Sequence, residues 1–299
     1  MTANRFRCCA LITRYAEARV LESMALLQMH LASRGVSTLA LAEELLPDTS
    51  PGSLERVDEA TLVERADLVI AIGGDGTLLY AAGLVAERGT PLLGINRGRL
   101  GFLTDVLPED MIATVDAVFA EQCSVDQRSL LAAELHVADG RSLRALALND
   151  VVLQKSEPGH ILDFETSVNG RYVNTHGGDG LIIASATGST AYALSCGGPI
   201  VEPQLDVLVV APICPHTLSD RPVVVSGRSQ IEVSLVERPD SQAFVSCDGR
   251  RLGELLPGDR LIVKPSRLKT TLLHPPGYDY FRLLRSKLHW GRRSFDAPR

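Results

Sequence analysis

Residues 70–83 read IAIGGDGTLLYAAG: a buried-type apolar run breaks into Gly73-Gly74-Asp75-Gly76-Thr77, then resumes at helical spacing. A strand that ends in glycines and opens a helix brings backbone N–H groups and the positive end of the helix dipole to one point, which suits an anion. Glycine permits positive φ and lets a phosphate approach where a Cβ would block it. Gly73, Gly74, Gly76 and Thr77 are therefore expected to form a phosphate loop; a packing-driven strand-to-helix turn is the other reading. Asp75 favours chemistry, because a phosphate repels a carboxylate that has no task. It could take a proton from a hydroxyl attacking phosphorus, or hold Mg²⁺. The chain contains no GxxxxGK[ST], and GxGxxG is missing here, so the loop is neither a P-loop nor the usual dinucleotide fingerprint.

Two other segments carry unusual chemistry. Residues 176–203, HGGDGLIIASATGSTAYALSCGGPIVEP, interrupt β-type sequence with glycines, hydroxyls and the carboxylate of Asp179. Tyr192 within GSTAY can stack on a base or ribose. Turn-rich connections of this length are uncommon unless functional, so a ligand site is expected here. Asn149-Asp150 lies inside the apolar run ALALNDVVLQ, where it reads either as a bulge or turn, or as a pair able to hold both hydroxyls of a ribose. The seven histidines show no metal spacing; His160 and His176 flank these candidate segments.

Alternating strands and helices must position the loop. The spacing predicts strands at RCCALIT, VSTLALA, DLVIAIG and PLLGIN, helices over 16–33, 77–88 and 107–122, and a polar loop over 47–52. That order implies a parallel sheet covered on both faces. From residue 124, short β runs dominate, with turn signals at Asp139-Gly140, Asn169-Gly170 and Asp248-Gly249. The expected organisation is a Rossmann-like α/β domain over 1–123, a β-sandwich over 124–275, and a helical tail over 276–299. The chain has 299 residues, 45% of them hydrophobic, and a net charge of −6, which argues against nucleic-acid or polybasic membrane roles. No apolar run reaches the roughly 18 residues of a membrane span, and no signal peptide is evident. Six cysteines without C-x-x-C pairs read as buried free thiols in a reducing compartment, hence a cytoplasmic protein.

Taken together, GGDGTLL (73–79), GINRGRLGFLTDV (94–106), NDVVLQK (149–155), GDGLIIASATGSTAYALSCGGPIVEP (178–203) and PHTLSDRPVVV (215–225) resemble the bacterial NAD kinases, in family order across nearly the whole chain. GGDGT alone is shared with lipid kinases of the diacylglycerol type. The resemblance implies a Rossmann-like domain and a β-sandwich with the active site between them. It also implies ATP- and Mg²⁺-dependent phosphorylation of the adenosine ribose 2′-hydroxyl of NAD to give NADP, by a homodimer or homotetramer. By position, Asp75 would be the proton acceptor with Gly76 beside it. Asn149, Asp150 and His160 would contact the dinucleotide. Asp179, Thr190, Ala191, Tyr192, Ala193, Leu194 and Ser195 would line its pocket. Mg²⁺ would be carried mainly by the nucleotide phosphates. Departures from the family pattern are Gly177, where a basic residue is common and His176 could substitute, Asp150 for Glu, Ala186 for Pro, and Arg250 for Gln. A lipid kinase sharing only GGDGT, or a non-catalytic NAD sensor, are the alternatives.

Overall fold

The computed structural model describes residues 5–14, 17–43, 54–98, 100–156, 161–238 and 241–290. The chain forms two units, Met1–Asp126 with Thr271–Arg299, and Gln127–Thr270.

The first unit begins with β1 (Cys8–Ile12), α1 (Ala18–Ser33), β2 (Ser37–Leu41), β3 (Leu54–Val57), α2 (Glu59–Arg65) and β4 (Leu68–Gly73). It continues with α3 (Asp75–Val85), β5 (Leu92–Asn96), a 3-10 turn (Pro108–Asp110) and α4 (Met111–Phe119). The strands lie parallel in the order β5-β4-β1-β2-β3. Every residue of β1, β4 and β5 is buried, as central parallel strands covered on both faces require. Val20, Met24, Leu27 and Leu31 of α1 and Met111, Val115 and Val118 of α4 pack in one core with Leu11, Ile70, Ile72 and Ile95. Gly35 and Gly89 take φ of +71° and +72° just past α1 and α3, where a helix stop needs left-handed backbone.

The sequence reading misses β3 and α2. LERV is a half-exposed edge strand with no apolar run, and seven helical residues are too few to show a period. Asp58 nonetheless caps α2, accepting the Thr61 N–H at 2.8 Å. The polar loop expected over 47–52 lies outside the described residues.

The second part of the chain carries β6 (Ser124–His136), β7 (Ser142–Ala147), β8 (Asp150–Lys155), β9 (Leu162–Val168), β10 (Arg171–Gly178) and β11 (Gly180–Ser185). A 3-10 turn (Thr187–Thr190), α5 (Tyr192–Ser195), β12 (Val207–Ile213), β13 (Val223–Ser226), β14 (Ile231–Leu235), β15 (Ala243–Cys247), β16 (Arg250–Leu255) and β17 (Arg260–His274) follow. The last helix is α6 (Tyr280–Leu288). One antiparallel sheet runs β13-β12-β11-β8-β15-β16; the other contains β10-β9-β14-β17 and the β6-β7 hairpin. Leu131, Leu153, Phe164, Leu181, Val233 and Val245 come from both sheets into one core. The fold is therefore an α/β domain followed by a predominantly β domain.

All three turn signals close hairpins. Asn169-Gly170 and Asp248-Gly249 have positive φ at both residues, the two-residue turn that matches strand twist. Among the described residues no helix is long and apolar enough to cross a membrane. The cysteines are all free, but only Cys8, Cys9 and Cys247 are buried; Cys214 is exposed. The expectation of buried thiols fails there because Cys214 sits just past the end of β12, where the chain leaves the sheet.

Candidate functional site

Strand β4 ends at Gly73, Gly74 is the N-cap of α3, and Asp75 is the first helical residue. None of Gly73, Gly74 and Gly76 takes a positive φ, so conformational freedom is not why the loop is glycine-rich. Space is the reason. A Cβ at Gly73 would lie 2.2 Å from Thr77 Oγ1, whereas at Gly74 and Gly76 it would meet nothing within 4 Å. Gly73 therefore admits the Thr77 side chain, and Gly74 and Gly76 leave open room at the helix start. The Thr77 N–H closes on Gly74 O at 2.9 Å, and its hydroxyl is buried without a hydrogen-bond partner. The N–H groups at the start of α3 remain, as at any helix N-terminus.

Asp75 does not hang free in this opening. Its Oδ1 accepts the N–H of Leu103 and of Thr104, both at 3.0 Å, and the Thr104 hydroxyl at 3.1 Å; its Oδ2 accepts the Phe102 N–H at 2.9 Å. A carboxylate offers about four acceptor positions. Oδ1 is saturated, and Oδ2 keeps one position open. Gly101 makes the approach feasible, since a Cβ there would lie 2.0 Å from Asp75 Oδ1. Thr104 is fixed in turn by Asn96 Nδ2, which donates to Thr104 Oγ1 at 3.0 Å, while Asn96 Oδ1 accepts the Gly98 N–H at 2.8 Å. A cavity of about 420 Å³ opens beside these strand ends, lined among others by Ser23, Leu26, Ile72, Asn96, Gly98 and Met111. Neither Asp75 nor any other residue of Gly73–Thr77 lines it, so it lies beside the Asp75 opening and not in it.

In the second unit, Asn149-Asp150 is not mid-strand. Asn149 lies in the bend after β7, and Asp150 is the first residue of β8. The backbone of this pair is clamped on both edges. Ser185 donates through its hydroxyl to Leu148 O at 2.5 Å and through its N–H to Asn149 O at 2.8 Å. The Asp248 carboxylate accepts the N–H groups of Leu148, Asn149 and Asp150. Gly188 lies so close that a Cβ would be 2.1 Å from Asn149 O. Asn149 Oδ1 is buried without a hydrogen-bond partner. Burial, and then the charge of Asp248, push the Asp150 carboxyl up to about 7.

Asp179 sits between β10 and β11, with Oδ1 2.6 Å from Lys155 Nζ. Gly180 beside it has φ of +153°, and a Cβ there would lie 2.0 Å from Leu153 O, so only glycine fits. Tyr192 is exposed at the start of α5. Its hydroxyl is pushed up by burial, then by neighbouring groups that include Asp179 and Asp150, which places these three residues in one neighbourhood. Thr190, Ala191 and Leu194 are half-buried and Ser195 is exposed, whereas the Ala193 side chain turns into a core with Ile182 and Val209.

His160 lies outside the described residues. His176 cannot substitute for a basic residue at 177. It is buried, stacked on Phe164, with Nδ1 3.0 Å from Asp220 Oδ2 and Nε2 enclosed. Sequence reasoning did not single out Gly101–Thr104 as the Asp75 cradle, nor Asp248 beyond its turn signal. Backbone donors carry no residue-type signature, and the Asp248 contact spans about 100 positions.

Residues 18–123 match the ATP-NAD kinase N-terminal domain and residues 148–274 the ATP-NAD kinase C-terminal domain. The chain is 42% identical to the NAD kinase of Acinetobacter baylyi over 97% of its length and 94% of that protein's. It is 41% identical to the NAD kinase of Nitrosococcus oceani, covering 97% of this chain and 99% of that one. An NAD kinase from Archaeoglobus fulgidus, solved in complex with ATP, superimposes with a TM-score of 0.74 at 26% identity, covering 94% of this chain and 98% of that one. Yeast NADH kinase, solved with NADH, shares the fold at a TM-score of 0.90 and 23% identity, covering 99% of this chain and 91% of that one. By these matches over almost its full length, the chain belongs to the NAD kinase family.

Proposed function

We propose that this chain transfers the γ-phosphate of ATP to the 2′-hydroxyl of the adenosine ribose of NAD, giving NADP. The observation that carries the assignment of roles is the Asp75 carboxylate. Four donors fix it at the start of α3, and Oδ2 has one acceptor position left for a hydroxyl. Phosphoryl transfer depends mainly on positioning and charge neutralisation. A rigidly held carboxylate suits the first: Oδ2 orients the 2′-hydroxyl and takes its proton as the new O–P bond forms and the bond from the γ-phosphorus to the departing ADP breaks. The helix-start N–H groups beside Gly74 and Gly76 suit the second, meeting phosphate oxygens.

Asn149 and Asp150 hold the dinucleotide, with the unpartnered Asn149 Oδ1 as an acceptor for a ligand donor. Asp179, Thr190, Ala191, Tyr192, Leu194 and Ser195 line the pocket, and Ala193 contributes backbone only. Mg²⁺ fits as an ion carried by the triphosphate. Three donors already fill Oδ1 of Asp75. When bound, Mg²⁺ neutralises charge on the transferring phosphoryl group. We further propose a cytoplasmic homodimer or homotetramer.

Incubating the purified protein with radiolabelled ATP, Mg²⁺ and NAD or diacylglycerol tests the substrate. Label should enter NADP; label in lipid but not in NADP would overturn the reading.

A further inference from the structure

The turn Asp248-Gly249 joins β15 to β16 with φ of +48° and +75°. From that left-handed position the Asp248 side chain reaches back across the sheet. Oδ2 accepts the Leu148 N–H at 2.7 Å, and Oδ1 accepts those of Asn149 at 2.8 Å and Asp150 at 3.1 Å. The Asp248 N–H donates to Asp150 O at 3.0 Å. Three successive N–H groups converging on one half-buried carboxylate form a nest, and charge-assisted bonds of this kind are about twice as strong as neutral ones. With Ser185 holding the carbonyl side, the backbone of this bend is fully engaged. None of the clamp's bonds uses the Asn149 or Asp150 side chain.

We infer that Asp248 is a positioning residue for NAD capture: it fixes the backbone from which Asn149 and Asp150 present their side chains. This rests on the reading of those two residues as NAD contacts.

The pair also gives the site a pH response. Burial pushes both carboxyls up, at Asp150 to about 7 with the charge of Asp248 adding to it, whereas at Asp248 three backbone N–H groups work against burial. The other titratable groups around Asp150 are Cys247 on β15, whose thiol burial and the two carboxylates push up to about 12, and Tyr192 on α5. As a carboxylate, Asp150 can accept from both ribose hydroxyls; once protonated it loses acceptor capacity. The KM for NAD should therefore rise as pH falls through about 7.

The test is steady-state kinetics of Asp248→Asn, Asp248→Gly and Asp150→Asn between pH 5.5 and about 9, bracketing the Asp150 transition. Asparagine and glycine both tolerate left-handed backbone, so the turn survives. Asp248→Asn should raise the KM for NAD about tenfold or more, leave kcat within about threefold, and leave the KM for ATP unchanged, the pattern of lost ground-state binding. Its inflection in the NAD profile should move to lower pH, because a neighbouring negative charge has gone. Should Asp248→Asn fail to fold, Asp248→Gly is read by the same criteria. An unchanged KM for NAD, or equal rises for both substrates with the inflection unmoved, would overturn the positioning role. An unchanged KM for NAD in Asp150→Asn would overturn the assignment of Asp150 itself and this inference with it, while leaving NADP synthesis untouched.

Discussion

Replacing Gly101 by alanine probes how closely the Asp75 cradle is built. The added methyl would stand 2.0 Å from Asp75 Oδ1 and 2.4 Å from Thr104 Oγ1. Real Cβ contacts essentially never fall below 3.0 Å, so the carboxylate must retreat by about 1 Å. The clashing atoms belong to side chains, so the backbone can survive, with an overpacking cost of about 1–3 kcal/mol. The damage falls on orientation instead. A shift of about 1 Å in a reacting group commonly costs on the order of 10²-fold in rate. Two or three of the four bonds to Asp75 are lengthened and weakened without being lost, which blurs the direction in which the carboxylate points. The expected outcome is a kcat reduced about 10²-fold, a KM for NAD changed by less than about threefold, and a melting temperature lower by a few degrees. Initial rates of NADP formation with thermal melts alongside would measure all three. A Gly101→Ala enzyme with kcat within about threefold of the parent would refute the claim that the cradle sets the Asp75 position.

Other substitutions separate stability from chemistry. Gly180→Ala combines φ of +153° with a Cβ 2.0 Å from Leu153 O, a backbone atom that cannot swing aside. The β8–β11 pairing should fail, at a cost above about 3 kcal/mol, seen as loss of soluble folded protein. Asp150 has its carboxyl raised from 3.8 to about 7 in the fold, so the folded state prefers it protonated. That preference is fully satisfied below pH 3.8 and is lost as pH rises through about 7, a swing of order 4 kcal/mol. Asp150→Asn should thus melt higher than the parent at pH 8 and much closer to it at pH 5; parallel pH profiles would contradict this. Ser185→Ala removes the hydroxyl that donates to Leu148 O at 2.5 Å and leaves that buried carbonyl short of a partner. It should cost about 1–3 kcal/mol and raise the KM for NAD more than that for ATP.

The sequence made the parallel α/β unit legible because its central strands are continuous apolar runs and its helices keep their period. LERV and EATLVER were invisible for lack of either signal. A candidate site could be nominated from sequence where residue type carries chemistry, as at Asp75, Asp150 and Asp179. It was not legible where backbone does the holding: Phe102, Leu103 and Thr104 reach Asp75 through their N–H groups, which any residue but proline possesses. Of the two reasons the sequence offered for the glycines of GGDGT, positive φ is not used, whereas Gly74 and Gly76 leave the open room expected and Gly73 makes way for Thr77.

The central claim is that Asp75 receives the proton of the attacking hydroxyl. Asp75→Asn keeps the size of the side chain but removes the anionic acceptor. Measuring its kcat for NADP formation beside its dissociation constant for NAD, obtained by calorimetry on the same preparation, tests that claim most directly. General-base loss predicts a kcat lower by about 10²- to 10⁴-fold with NAD affinity within about threefold of the parent. An Asp75→Asn enzyme that makes NADP at the parent rate would contradict it.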